Sequence, residues 1–262
     1  MTEPTLTSWK LTIAYDGAGF SGWARQAGLR TVQETLEGAI SQILSGASVR
    51  LTVAGRTDAG VHALGQVVSF ELDREAPDRF ASRINAVLPS DVAVRAAKPA
   101  PAGFDARRWA TSRRYRYRLL TTEQRTPFEE GRALWWPYPL ERQALDACAA
   151  AIVGEHDFTA FTPTQTEHVR FERRVLSADW QDECEAILVF DITADAFMRN
   201  MIRVLVGTML EVGAGKRTAE DFAALLEGAP RERAGETAPP HGLYFAGVEF
   251  GDGPAFGHGA GS

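Results

Sequence analysis

"VRLTVAGRTDAGVHALGQVVSFEL", residues 49–72, holds two β-forming runs, "VRLTVA" (49–54) and "QVVSFEL" (66–72), on either side of a turn. Gly55 and Gly60 let the backbone turn tightly there. Between them stands Asp58, with Arg56 two residues before it and His62 four after. Two readings of Asp58 stay open. Its carboxylate can cap its own turn by accepting from nearby amides. It can also do chemistry, as a nucleophile at carbon, a proton acceptor or a stabiliser of developing positive charge. Arg56 is near enough to favour the ionised form, and His62 can donate or accept.

Outward from this pair of runs, "KLTIAYD" (10–16) reads as a strand and "TVQETLEGAISQIL" (31–44) as a helix. Thr31 and Glu34 have capping-box spacing, and Val32, Leu36, Ile40 and Ile43 share one face. "DRFASRINAVL" (78–88) predicts a second helix and "VAVRAAK" (92–98) a strand. The order is β-α-β-β-α-β, a ferredoxin-like unit. It returns in "RRYRYRLL" (113–120), "ERQALDACAAAIVG" (141–154), "RRVLSADW" (173–180), "CEAILVFDITA" (184–194), "FMRNMIRVLVGTMLEVG" (197–213) and "GLYFAGVEF" (242–250). A short helix at 218–227 and the aromatic stretch "ALWWPYPL" (133–140) are additions to the plan.

The predicted class is therefore α+β: two ferredoxin-like halves related by pseudosymmetry, with a mixed or antiparallel sheet. Helices cover one face and a concave cleft lies on the other. The halves are 1–108, carrying the Asp58 loop, and 109–250, carrying the Arg/Tyr strand and an Arg-bearing helix; a flexible tail follows at 251–262. "KPAPAGFDARRWATS" (98–112) is the connection. The competing reading is one irregular α+β domain.

Composition fits a folded protein, with 45% hydrophobic and 24% charged residues in 262. No apolar run approaches the ~20 residues of a membrane span, and "MTEPTLTSWK" lacks the layout of a signal peptide. Cys148 and Cys184 form no CxxC pair, which disfavours a disulfide scaffold or structural zinc; a cytoplasmic location fits best. Asp58 and His62 have no further ligands at metal-binding spacing, and His156, His168 and His241 sit in no zinc pattern. "GAGFSG" (17–22) lacks dinucleotide spacing and "GAGKRT" (213–218) lacks the Walker glycine, so both read as turns.

The net charge of -6 argues against nucleic acid, but its distribution argues for it. "FDARRWATSRRYRYR" (104–118) has six arginines and one acid. Alternation puts Arg114, Arg116 and Arg118 on one side of a strand, with Tyr115 and Tyr117 on the other. This is either a solvated face over an aromatic core, or a base-stacking tyrosine among arginines that contact phosphate. Arg199 and Arg203, four apart in the apolar 197–213 run, are expected on one helix face. There an arginine either snorkels outward or pairs with a carboxylate or phosphate. Together these features suggest RNA or another anionic, base-bearing substrate, without selecting a reaction.

The same residues resemble the tRNA pseudouridine synthase A family. "GRTDAGVHA" (55–63) is the most specific of eight motifs in series, with "YDGAGFSGW" (15–23), "TVQETLE" (31–37), "FDAR" (104–107), "RRYRY" (113–117), "HDFTAF" (156–161), "MIRVLVG" (201–207) and "PPHGLYF" (239–245). The resemblance implies isomerisation of uridine to pseudouridine at tRNA positions 38, 39 and 40, without metal or organic cofactor, by a homodimer in which one tRNA touches both subunits. It makes Asp58 the catalytic aspartate and Arg56 its partner, which also helps displace the flipped base. Tyr115 becomes the residue that stacks on the uracil, and Arg203 forms an ion pair with the carboxylate. Departures are local: "GWARQ" (22–26) has Ala24 where an amide is common, Arg199 replaces a frequent His, and Val204 replaces Asn. The rival readings are a noncatalytic RNA-binding module and, after it, a hydrolase using Asp58 on a small substrate.

Overall fold

The computed structural model describes residues 6–166 and 169–255. His168 and the last part of the expected tail, residues 256–262, lie outside the described residues. The chain divides into two compact units, Met1–Arg113 with Phe245–Ser262, and Arg114–Tyr244. These limits fall inside two strands, Ala110–Leu120 and Leu243–Phe250, whereas the sequence reading divides the chain at 108/109. In both units strands pair antiparallel, Ala110–Leu120 and Leu134–Trp135 pair in parallel, and helices flank the strands; the class is α+β.

The first unit runs β1 (Thr7–Tyr15), α1 (Val32–Ile43), β2 (Thr52–Val53), β3 (His62–Leu72), α2 (Phe80–Asn85) and β4 (Val92–Pro99). β1 lies between β4 and β3, and β2 also pairs with β3. Leu11 and Ile13 of β1, Leu36 and Ile40 of α1 and Ile84 of α2 are fully buried, as the periodicity of each segment requires. Thr31 caps α1 by accepting from the Glu34 amide. Trp9 meets Phe80 edge-on at 5.3 Å, joining β1 to α2. The β1–β3 register shifts between Ile13 and Tyr15, so a bulge re-aims the last residue of β1. β3 begins at His62, earlier than the hydrophobic run suggested, and so draws the last two residues of the GRTDAGVHA motif, His62 and Ala63, into the ladder.

The second unit contains most of β5 (Ala110–Leu120), then β6 (Leu134–Trp135), α3 (Arg142–Ala151), β7 (Gly154–Asp157), β8 (Glu172–Cys184), β9 (Ile187–Ala194), α4 (Met201–Gly213) and α5 (Ala219–Ala223). β10 (Leu243–Phe250) starts here and ends in the first unit. The strand order is β5-β9-β8-β7, and β6 adds to β5 in parallel. β8 and β9 form a hairpin in which Trp180 opposes Phe190 with ring centroids 5.0 Å apart. Cys148 is buried in α3, and Cys184 is exposed where β8 ends.

The long helix differs from expectation at its start. Residues 197–200 are not helical; α4 begins at Met201, after Asn200 adopts the left-handed conformation with φ of 59°. Arg199 therefore lies in the preceding turn, exposed, and does not share a helix face with Arg203. Within α4 only Arg203, Gly207 and Glu211, each four residues from the next, are not fully buried. Hydrophobic periodicity could not mark this boundary, because the apolar residues of 197–202 continue into the helix.

Candidate active site

The Asp58 loop is held largely by main-chain bonds. Trp23 N donates to Thr57 O at 3.0 Å, Gly60 N to Phe20 O at 3.3 Å, and Val61 N to Asp58 O at 3.2 Å. Gln66 donates its side-chain amide to Gly55 O at 2.7 Å, and Arg113 Nε donates to Ala54 O at 3.1 Å. Re-aimed by the bulge, Tyr15 shares a 2.8 Å hydrogen bond between its hydroxyl and Thr57 Oγ1. Burial pushes the Tyr15 phenol up to about 12, against its bonds to Thr57 and Gln66, so it remains a neutral strut.

Two glycines of "YDGAGFSGW" explain why that motif accompanies the loop. A Cβ on Gly17 would lie 2.0 Å from Val61 O, so only glycine lets the 3-10 turn at Gly17–Gly19 press on the loop. Gly22 has φ of 94°, and a Cβ there would lie 3.1 Å from Thr57 O. Gly17 N donates to Nδ1 of the buried His62 at 3.0 Å, while Asp16 Oδ1 lies 3.1 Å from the same nitrogen. The Gly17 amide can only donate, so Nδ1 is its acceptor. His62 thus supports the loop's base.

What remains at the tip is a half-buried Asp58 beside an exposed Arg56. No ion pair joins these two among the described residues. A short carboxylate on a loop fixed from both sides can meet a substrate atom with little reorganisation.

In β5 the alternation holds: Tyr115 and Tyr117 are buried, while Arg114, Arg116 and Arg118 face the other way. The arginines are not an open basic stripe. Arg116 bonds Asp191 at 2.9 Å and reaches Glu183 at 3.3 Å. Arg118 bonds Glu129 at 2.6 Å and Glu183 at 2.8 Å. Burial alone would lower the pKa of Arg118, but the two carboxylates outweigh it and raise it. Arg114 lies 3.7 Å from Asp191 with its side chain 54% exposed, the most accessible of the three. Arg113 donates to three carbonyls, of Ala54, Ala110 and Arg107. Half of the six arginines in the sequence cluster, Arg113, Arg116 and Arg118, therefore serve the fold.

Tyr115 is met edge-on by Phe197, centroids 5.0 Å apart. Tyr117 donates its hydroxyl to Pro239 O at 2.8 Å, and burial pushes its pKa up against the nearby Arg203. Arg203 donates Nε to Ala238 O at 2.7 Å and Nη1 to Asn200 Oδ1 at 3.1 Å. Its own carbonyl accepts from Ala238 N at 3.0 Å, so residues 238–239 tie "MIRVLVG" to "PPHGLYF". Asp58 and Arg56 thus share a loop of the first unit, and Tyr115 and Arg203 belong to the second.

Tyr15, Thr57, Phe197 and Asn200 were not singled out by sequence reasoning. For Asn200 a signal existed, since Asn directly before an apolar helical run is a cap candidate. Among the described residues no group of three or more His, Cys, Asp and Glu is arranged to hold a metal ion.

Similarity to known proteins bears on these residues. A family model described as tRNA pseudouridine synthase matches residues 11–107 and 148–251, which include Asp58 and Arg203 but not Tyr115. The chain is 43% identical over 236 residues to tRNA pseudouridine synthase A of Halalkalibacterium halodurans, covering 89% of each chain. It is also 43% identical over 247 residues to the Frankia casuarinae protein of the same name, covering 94% of this chain and 90% of that one. The Listeria welshimeri protein of that name is 37% identical over 94% of this chain and 100% of its own.

Proposed function

This chain belongs to the tRNA pseudouridine synthase A family, and from that premise we propose that it isomerises uridine to pseudouridine at positions 38, 39 and 40 of the tRNA anticodon stem-loop, with Asp58 as the catalytic carboxylate. The observation that carries this reading is the Asp58 loop: a half-buried carboxylate at the tip of a turn pinned by main-chain bonds to Phe20 and Trp23 and by the side chain of Gln66.

The reaction breaks the N1–C1′ bond of the nucleotide and joins C5 to C1′, with C5 losing its proton and N1 gaining one, so the uracil must detach, turn and reattach without leaving. The target first leaves its stack, at a cost of a few kcal/mol that is least near a loop. Arg56, exposed beside Asp58, fills the vacated space and contacts the backbone. The ring of Tyr115, braced by Phe197, limits how the detached uracil moves. Asp58 acts as an anion, either adding at C1′ or removing the C2′ proton on a glycal path. Arg203 forms an ion pair with that anion. In this reading the two units are pseudosymmetric ferredoxin-like halves around a concave cleft, supported by the β-α-β-β-α-β order of the first unit. The enzyme works in the cytoplasm as a homodimer on tRNA, with neither metal nor organic cofactor.

The test uses unmodified anticodon stem-loop RNA. Asp58→Asn is expected to bind it as the natural protein does and to form no detectable pseudouridine. Substantial turnover by this variant would overturn the assignment, and binding without any conversion by the natural protein would leave an RNA-binding module.

A further inference from the structure

Asn200 occupies the position from which a side chain ordinarily caps a helix. Its carbonyl accepts the first helical bond of α4, from Val204 N at 3.0 Å, yet its side chain bonds none of the helix's amides. Oδ1 instead accepts from Arg203 Nη1 at 3.1 Å. The backbone reaches this arrangement in the left-handed region, with φ of 59° and ψ of -3°, which is unfavourable for a residue other than glycine and least so for Asn or Asp. A left-handed residue whose cap is diverted to a guanidinium is the kind of local cost that surrounding structure sustains at functional sites. The turn itself is anchored: Met198 is buried, its carbonyl accepts from Met201 N, and the Arg199 carbonyl accepts from Thr162 Oγ1.

We infer that Asn200 is a positioning residue, setting the plane of the Arg203 guanidinium between its own Oδ1 and the Ala238 carbonyl. With Nε and Nη1 both engaged, rotation about the last side-chain torsions is removed and the guanidinium has one orientation. This rests on Arg203 taking part in the reaction, as proposed above.

The experiment separates the side chain from the backbone. Asn200→Gly permits the left-handed conformation but removes the acceptor, and Asn200→Asp keeps an acceptor. Single-turnover pseudouridine formation, RNA affinity and urea unfolding are measured for each. Asn200→Gly is expected to unfold and bind RNA like the natural protein while reacting roughly tenfold or more slowly. Asn200→Asp recovers most of the rate. In an Arg203→Lys background, Asn200→Gly causes no further loss, because both changes remove one arrangement. A slow Arg203→Lys enzyme beside a full-rate Asn200→Gly enzyme overturns the positioning role alone. A full-rate Arg203→Lys enzyme removes Arg203 from the reaction, and the inference falls with it. Independent, additive losses in the double variant also overturn it.

Discussion

The Asp58 loop and strand β5 carry three of the four candidate residues, Asp58, Arg56 and Tyr115, and are built in opposite ways. The loop is fixed by main-chain bonds and by glycines that admit close approach. β5 is dense in charge, and its arginines are fixed by carboxylates, Asp191 and Glu183 far away in sequence and Glu129 nearer. One region holds a single acid out with a rigid backbone. The other uses most of its cations to hold itself together. The density of a charged residue type along a sequence thus says little about how much of that charge a ligand meets.

The sharpest way to break this contrast is at Gly17. A methyl group there meets main chain at 2.0 Å, and neither side can yield as a flexible side chain would. Gly17→Ala is expected to cost about 3 kcal/mol in urea unfolding, with a loss of pseudouridine formation beyond that explained by the unfolded fraction. An alanine variant of natural stability would show that the loop is not fixed from this side. Next comes Arg116→Ala, which leaves the buried Asp191 without its nearest cation and should cost about 2 kcal/mol. Its RNA affinity should keep the natural dependence on salt, whereas Arg56→Ala should flatten the plot of log affinity against log salt by about one unit. The reverse result would mean that β5, not the loop, meets phosphate.

The smallest effect concerns Asp91, which bonds Arg30 at 2.7 and 2.9 Å and whose carbonyl accepts from Asp16 N behind the loop. The hydrogen bond from Arg30 holds the Asp91 carboxyl below the ordinary carboxylate value. A depressed folded value means the contribution is present above the unfolded pKa of about 4 and is lost as pH falls through the lower folded one. Both partners are substantially exposed, so Asp91→Asn should cost under about 1 kcal/mol at pH 7. That difference from the natural protein should fade in unfolding curves taken below about pH 4. A gap that grows on acidification would reverse the sign of the linkage.

Much of the fold was legible because single elements advertise themselves. Thr31 with Glu34, the alternation of 113–120 and the apolar run of α4 each mark local structure, and the structure has all three. β7 was not legible: its four residues, Gly154–Asp157, are too few and too polar to show a period. The start of α4 was misread because Phe197 and Met198 extend the apolar pattern across a turn set by Asn200. Residue types point to Asp58, Arg56, Tyr115 and Arg203 as candidates. Their supports did not show, because Tyr15–Thr57 and Arg116–Asp191 span 42 and 75 residues. Spacing along a chain carries no signal for such pairs.

The two cysteines differ in a way that is useful at the bench. Burial in α3 pushes the Cys148 thiol up to about 12, which keeps it protonated and unreactive near neutrality, while Cys184 stands exposed at the β8–β9 hairpin. A maleimide dye therefore has one preferred address in the natural protein. RNA carrying a second fluorophore can be followed by energy transfer to that hairpin without adding or deleting a single cysteine.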